Sequence, residues 1–251
     1  MNRLELHLRD DEIHVWRASL DQDAALIASL ERLLTDDEHE RADRFRFTRD
    51  RERFVAGRGL LRTLLGGYLA VPPQDVRLHY GAHRKPVLAG AGPWFNVSHS
   101  GHLALFAFSA SVELGIDIEL AHSHPDGERI AEHFFSVAEV TELRSLPAEQ
   151  RAAAFLTCWT RKEAFLKARG DGLTLPLDAF DVTLGPDRAC ALLRTAWSSE
   201  EPGHWRLVDL SDPSRGYVAA LAARDHARRV SFRDLPRIPV HEPLMTLQEM
   251  T

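Results

Sequence analysis

Apolar and polar positions divide the chain into two stretches of helical period, each followed by stretches of strand period. Between residues 4 and 18, β-favouring residues such as Ile13, Val15 and Trp16 alternate with polar ones and predict one or two strands. Asp21 or Asp23 then caps a helix running to Leu34, with Leu26, Ile27, Leu30, Leu33 and Leu34 on one face. Thr35 opens a second helical region, whose first turn holds Asp36, Asp37 and Glu38, where negative charge suits the helix dipole. From residue 49 to 69, Phe54, Leu61, Leu64, Leu65 and Tyr68 recur at helical spacing until Pro72 and Pro73 stop the helix.

Short strands follow at residues 76–80, 94–98, 102–109 and 112–118, punctuated by Gly and Pro. The polar run from Ala121 to Gly127 marks a boundary. Beyond it, helices are predicted over 128–134, 136–145 and 147–169, and Ser136 with Glu139 has capping-box spacing. Strands close the pattern near 180–184, 191–195, 204–210 and 217–222. The expectation is an α+β protein of two pseudo-duplicated halves, 1–120 and 121–235, each with helices packed on a small, mainly antiparallel sheet. Residues 236–251 are expected to form a tail that wraps the body or is flexible.

Composition narrows the class. The 251 residues are 44% hydrophobic and 27% charged, which suits a globular protein, and the formal net charge of −6 argues against a nucleic-acid coat. Cys158 and Cys190 are the only cysteines and form no CxxC pair, so neither a disulfide framework nor a structural zinc site is expected. No stretch approaches the roughly 20 apolar residues of a membrane span, and the first ten residues lack an apolar signal core. The expected location is the cytoplasm.

Four clusters carry candidate chemistry. Asp117 and Glu119 lie two apart after an apolar lead-in and alternate with Ile116 and Ile118, so both carboxylates project from one strand face. An isolated pair of this kind is usually a solvated face. At the end of a buried strand it suits a hard cation bridging to phosphate. Trp159, Glu163 and Lys167 are four apart and share a helix face, and Gly170 and Gly172 then break the helix. The run from Phe95 to Gly101 crowds Asn96, Ser98, His99 and Ser100 at a strand end, where Ser98, His99 and amides near Gly101 can contact phosphate. It makes a poor nucleophilic pair, because adjacent strand residues point to opposite faces. Eight arginines fall between Arg41 and Arg62, offset by Asp43, Asp50 and Glu52. They form either a solvated helix face or a phosphate-binding surface.

Together and in this order the clusters resemble the Sfp-type 4′-phosphopantetheinyl transferase family. The matching residues are Lys85 and Pro86, Phe95 to Gly101, Gly115 to Glu119, and Trp159, Lys162, Glu163, Ala164, Phe165 and Lys167 with Gly170, Gly172 and Leu173. The resemblance spans roughly residues 35–173, and Arg84 departs from the glycine that often precedes the Lys-Pro pair.

The resemblance implies a monomer of that family's fold, with its active site between the halves. It further implies Mg²⁺, with Mn²⁺ an admissible replacement, held by Asp117, Glu119 and Glu163. Coenzyme A would be contacted by Arg53, Lys85, Pro86, Ser98, His99 and Lys167. The implied reaction moves phosphopantetheine from coenzyme A to a serine of an acyl or peptidyl carrier protein, releasing 3′,5′-ADP. Glu163 is the candidate base, and Lys167 stabilises charge on the leaving side. The alternative is a non-catalytic module of the same fold that binds coenzyme A or carrier protein. A nucleic-acid binder using the arginine run is a distant third.

Overall fold

The computed structural model of the protein describes residues 6–80, 86–121, 126–170, 174–185, 188–224 and 229–235. The chain opens with strand β1 (Glu12–Ser19), then helices α1 (Ala24–Glu31), α2 (Asp36–Asp43) and α3 (Thr48–Leu69). Asp23 caps α1 by accepting from the Leu26 amide at 2.8 Å. Asp21 instead grips Arg53 with both oxygens, at 2.6 and 2.9 Å. Thr35 and Glu38 close a capping box on α2.

Strands β2 (Leu78–Tyr80), β3 (Pro86–Leu88), β4 (Trp94–Ser100), β5 (Leu103–Ser109) and β6 (Leu114–Leu120) follow, then α4 (Gly127–Phe134), α5 (Val137–Ser145) and α6 (Ala148–Arg169). The chain continues through β7 (Phe180–Val182), β8 (Leu192–Thr195), β9 (Trp205–Asp209), β10 (Tyr217–Arg224) and β11 (Arg229–Asp234). Strands β3 and β11 add to those the sequence predicts. The residues of 236–251 and Lys85 lie outside the described residues.

Two sheets form the centre, in the strand orders β11-β1-β5-β4 and β6-β10-β9. They pack face to face through Ile13, Val15, Leu105, Ile116, Ile118 and Leu221. Complete burial of side chains of this size contributes about 1.5–3 kcal/mol each. The outer face of the first sheet, with Trp16 and Phe108, packs on Leu60 and Leu64 of α3. The outer face of the second packs on α6, where Gly115 permits close approach: a Cβ there would land on the backbone of Ala164 and Ala168. The result is four layers, helix, sheet, sheet, helix.

The chain does not divide between the sheets as it divides in sequence. Strand β6 ends at the expected boundary yet pairs with β10, as Asp117 with Ala220 and Glu119 with Val218. Strand β11 returns to the first sheet and pairs with β1 in parallel, Glu12 with Arg229 through Arg17 with Asp234. Arg17 fastens the junction, donating to both oxygens of Asp234 at 2.7 and 2.8 Å and to the Tyr217 hydroxyl at 2.6 Å.

Candidate active site

The carboxylate pair sits where β6 passes under α6. Ile116 and Ile118 are fully buried between the sheets, so period two turns Gly115, Asp117 and Glu119 to the α6 side. Helix α6 meets them with the stripe Trp159, Glu163 and Lys167. Its rotation is fixed from behind by Lys162, which is fully buried. The Lys162 ammonium lies 2.8 Å from Glu139 and donates to the Leu177 and Phe180 carbonyls at 2.6 and 2.5 Å. Trp159 packs beside Phe155 and Phe135, ring centres 5.9 and 6.5 Å away. Gly170 ends the helix in the left-handed region, at φ 80°.

Asp117, Glu119, Trp159, Glu163, Lys167 and His99 line one cavity of about 380 Å³, together with Val97 and Ser98. Lys167 Nζ donates to Asp117 Oδ1 at 2.6 Å, to Ser98 Oγ at 3.1 Å and to the Ile116 carbonyl at 3.3 Å. Ser98 Oγ donates to the same Asp117 oxygen at 2.8 Å. The second oxygen, Oδ2, is buried without a hydrogen-bond partner among the described residues. Burial pushes the Asp117 carboxyl above its ordinary range, against the pull of Lys167 and Ser98. Burial, then the charges of Asp117 and Glu119, push Glu163 up as well. His99 stands at the mouth of the cavity, where removal of water by the cleft walls and the charge of Lys167 hold its imidazole below the usual value.

A second cavity of about 480 Å³ adjoins the first, and Val97 and His99 belong to both. Arg41, Arg53, Phe54, Arg58 and Pro86 line it. Along α3 the lining residues Arg53, Phe54, Gly57, Arg58 and Leu61 form one helical stripe. Arg58 is almost wholly buried beside the rings of Phe54 and Tyr80, at 5.8 and 5.6 Å. Its Nε lies 3.3 Å from Glu38, but neither Nε nor Nη1 has a hydrogen-bond partner among the described residues. Burial lowers the affinity of this guanidinium for its proton.

The remaining arginines of the run point elsewhere. Arg62 is buried on Glu38 at 2.6 Å, Arg51 pairs with Glu31 and Asp43, and Arg44 pairs with Glu40. The run is therefore no single basic face. Its arginine count marks the region, but only the phase of α3 shows that Arg58 reaches the cavity beside Arg53.

Comparison with known proteins fits this geometry. The sequence profile of the 4′-phosphopantetheinyl transferase superfamily matches residues 113–222, and that of a 4′-phosphopantetheinyl transferase N-terminal region matches residues 15–111. The chain is 43% identical to the 4′-phosphopantetheinyl transferase HetI of a Nostoc species, over 86% of this chain and 90% of that protein. The chain belongs to the 4′-phosphopantetheinyl transferase superfamily. This transferase is also 34% identical to the human L-aminoadipate-semialdehyde dehydrogenase-phosphopantetheinyl transferase, over 82% of this chain and 71% of that one. It is 33% identical to the 4′-phosphopantetheinyl transferase Sfp of Bacillus subtilis, over 61% of this chain and 68% of that one. The two profiles meet where β5 gives way to β6, the turn that brings the Ser98 strand beside the Asp117 strand.

No helix among the described residues is long and apolar enough to cross a membrane. Both cysteines are free, and burial pushes the Cys190 thiol up to about 11 and the Cys158 thiol well above its ordinary value, so neither is a poised nucleophile.

Proposed function

We propose that this enzyme transfers 4′-phosphopantetheine from coenzyme A to the serine of an acyl or peptidyl carrier protein, with a divalent cation, Mg²⁺ or in its place Mn²⁺. We further propose that it acts in the cytoplasm as a monomer. The supporting observation is the pair of joined cavities: one collects three carboxylates and a lysine, the other collects arginines beside aromatic rings. A pyrophosphate joined to a phosphorylated nucleoside matches that sequence of charges.

As arranged, no three carboxylate, histidine or cysteine side chains among the described residues are close enough to enclose a metal ion. A Mg²⁺ site does not need that, since Mg²⁺ keeps waters and binds through one or two carboxylates plus substrate phosphates. The unpartnered Asp117 Oδ2 fits such an ion, and Glu119 and Glu163 line the same cavity. When bound, the cation neutralises charge on the pyrophosphate.

The chain's own residues supply the rest. Arg41, Arg53 and Arg58 seat the nucleotide end, with Pro86 as an apolar wall. His99, where the cavities meet, donates to the phosphate bridge. The carrier serine Oγ forms a bond to the β-phosphorus, the bond from that phosphorus to the bridging oxygen of 3′,5′-ADP breaks, and the serine proton passes to Glu163 directly or through water. Lys167 faces the departing phosphate and balances its charge. Phosphoryl transfer depends mainly on such positioning and neutralisation.

The test is incubation with coenzyme A, Mg²⁺ and several apo carrier proteins, followed by intact mass measurement. A mass gain of one phosphopantetheine that disappears with EDTA supports the proposal. Absence of gain on every carrier, with coenzyme A still bound, replaces it with a binding module.

A further inference from the structure

Strands β4 and β6 are edge strands of different sheets, so the amides on the facing edge of β6 must find partners outside a backbone ladder. Side chains of β4 meet this need. Asn96, Ser98 and Ser100 are two apart, point the same way and are all buried. Asn96 Oδ1 accepts from the Ile116 amide at 2.8 Å. Ser98 Oγ donates to Asp117. Ser100 Oγ accepts from the Leu120 amide at 3.1 Å and donates to Glu119 Oε2 at 2.8 Å. The two amides held this way bracket Asp117 and Glu119.

We propose that Ser100 is a positioning residue that sets the orientation of the Glu119 carboxylate toward the cation, with Asn96 as the second anchor of the same strand segment. The inference rests on the reading of Glu119 as a cation-holding residue. Ser100 uses its hydroxyl in both senses, so the Leu120 amide and the Glu119 side chain are held by one atom. A ligating carboxylate that loses such a partner samples more rotamers, and outer partners of this kind typically contribute about 10- to 100-fold in metal affinity. Ser100 is not among the residues that line either cavity.

The test uses the full chain with Ser100→Ala and Ser100→Thr. Mn²⁺ binding is read by loss of the free-ion electron paramagnetic resonance signal in the presence of coenzyme A, and transfer is read against Mg²⁺ concentration. Ser100→Ala is expected to weaken Mn²⁺ binding and raise half-saturating Mg²⁺ by about tenfold or more, with kcat at saturating Mg²⁺ and coenzyme A affinity in EDTA unchanged. Ser100→Thr, which keeps the hydroxyl, is expected to restore both. Wild-type cation dependence in Ser100→Ala overturns the proposal, as does a loss of activity that added Mg²⁺ does not recover. If the unaltered protein binds Mn²⁺ but transfers nothing, the functional reading fails while the Mn²⁺ titration still decides the role of Ser100.

Discussion

Lys167 holds one oxygen of Asp117 at 2.6 Å, and the other oxygen of that carboxylate is buried with no hydrogen-bond partner among the described residues. A carboxylate satisfied on one side only is costly to bury. The cost is intelligible if the open side receives a cation during turnover. Asp117→Asn keeps the shape and removes the charge. Transfer is expected to fall by about two to three orders of magnitude, the usual loss on removing a group that stabilises developing charge. Circular dichroism is expected to be unchanged. A folded Asp117→Asn protein with wild-type turnover contradicts the assignment.

The pH dependence of stability follows from Glu163. Burial and its acidic neighbours make the native carboxyl keep its proton to higher pH than the ordinary value of 4.5. The unfolded chain gives up that proton first, so native stability falls as pH rises through the raised native value. Without metal, Glu163→Gln is therefore expected to melt above wild type at pH 7. The gap closes below the ordinary carboxylate value. Melting curves in EDTA across this range check it, and a wild-type protein more stable than the variant at pH 7 contradicts it.

Arg58 presents two buried donors, Nε and Nη1, with no hydrogen-bond partner among the described residues. Arg58→Met preserves the apolar stem and removes the donors. Hydrogen bonds to charged groups contribute about 1.5–3 kcal/mol, which corresponds to roughly a ten- to hundredfold weakening of coenzyme A binding. Calorimetric titration with coenzyme A checks this, and the melting temperature is expected to hold, since Arg58 is poorly paired at the start.

Gly115 sets the distance between the two parts of the site. A methyl group there meets the backbone of Ala164 and Ala168, which cannot swing away as a side chain can. Gly115→Ala is expected to cost about 1–3 kcal/mol, the range for overpacking. It also moves α6 off β6, separating Glu163 from Asp117, so activity falls more than stability. Urea titration and transfer assays on the same sample separate the two effects.

How much was legible in the sequence depends on the range over which each interaction acts. Asp117 and Glu119 were readable because Ile116 and Ile118 declare the alternation, and Trp159, Glu163 and Lys167 because a four-residue spacing declares the helix face. Ser98 and Ser100 were visible as polar residues, but their partners lie on another strand 19 residues later. Nothing local announces that contact. Lys162 looks like any charge on a surface helix, yet it is wholly enclosed by α5 and the turn before β7. Strand β11 is not legible locally because Val230 and Phe232 are its only apolar residues, and its partner β1 lies more than 200 residues earlier in the chain.

The return of β11 to β1 also makes the protein topologically indivisible. A cut at residue 120 would strip the first sheet of one margin and give the second piece a strand with no place to bind, while parting β6 from β10. Strand β6 carries the first part of the chain into the second sheet and β11 carries the later part back into the first, so each part completes the other's sheet.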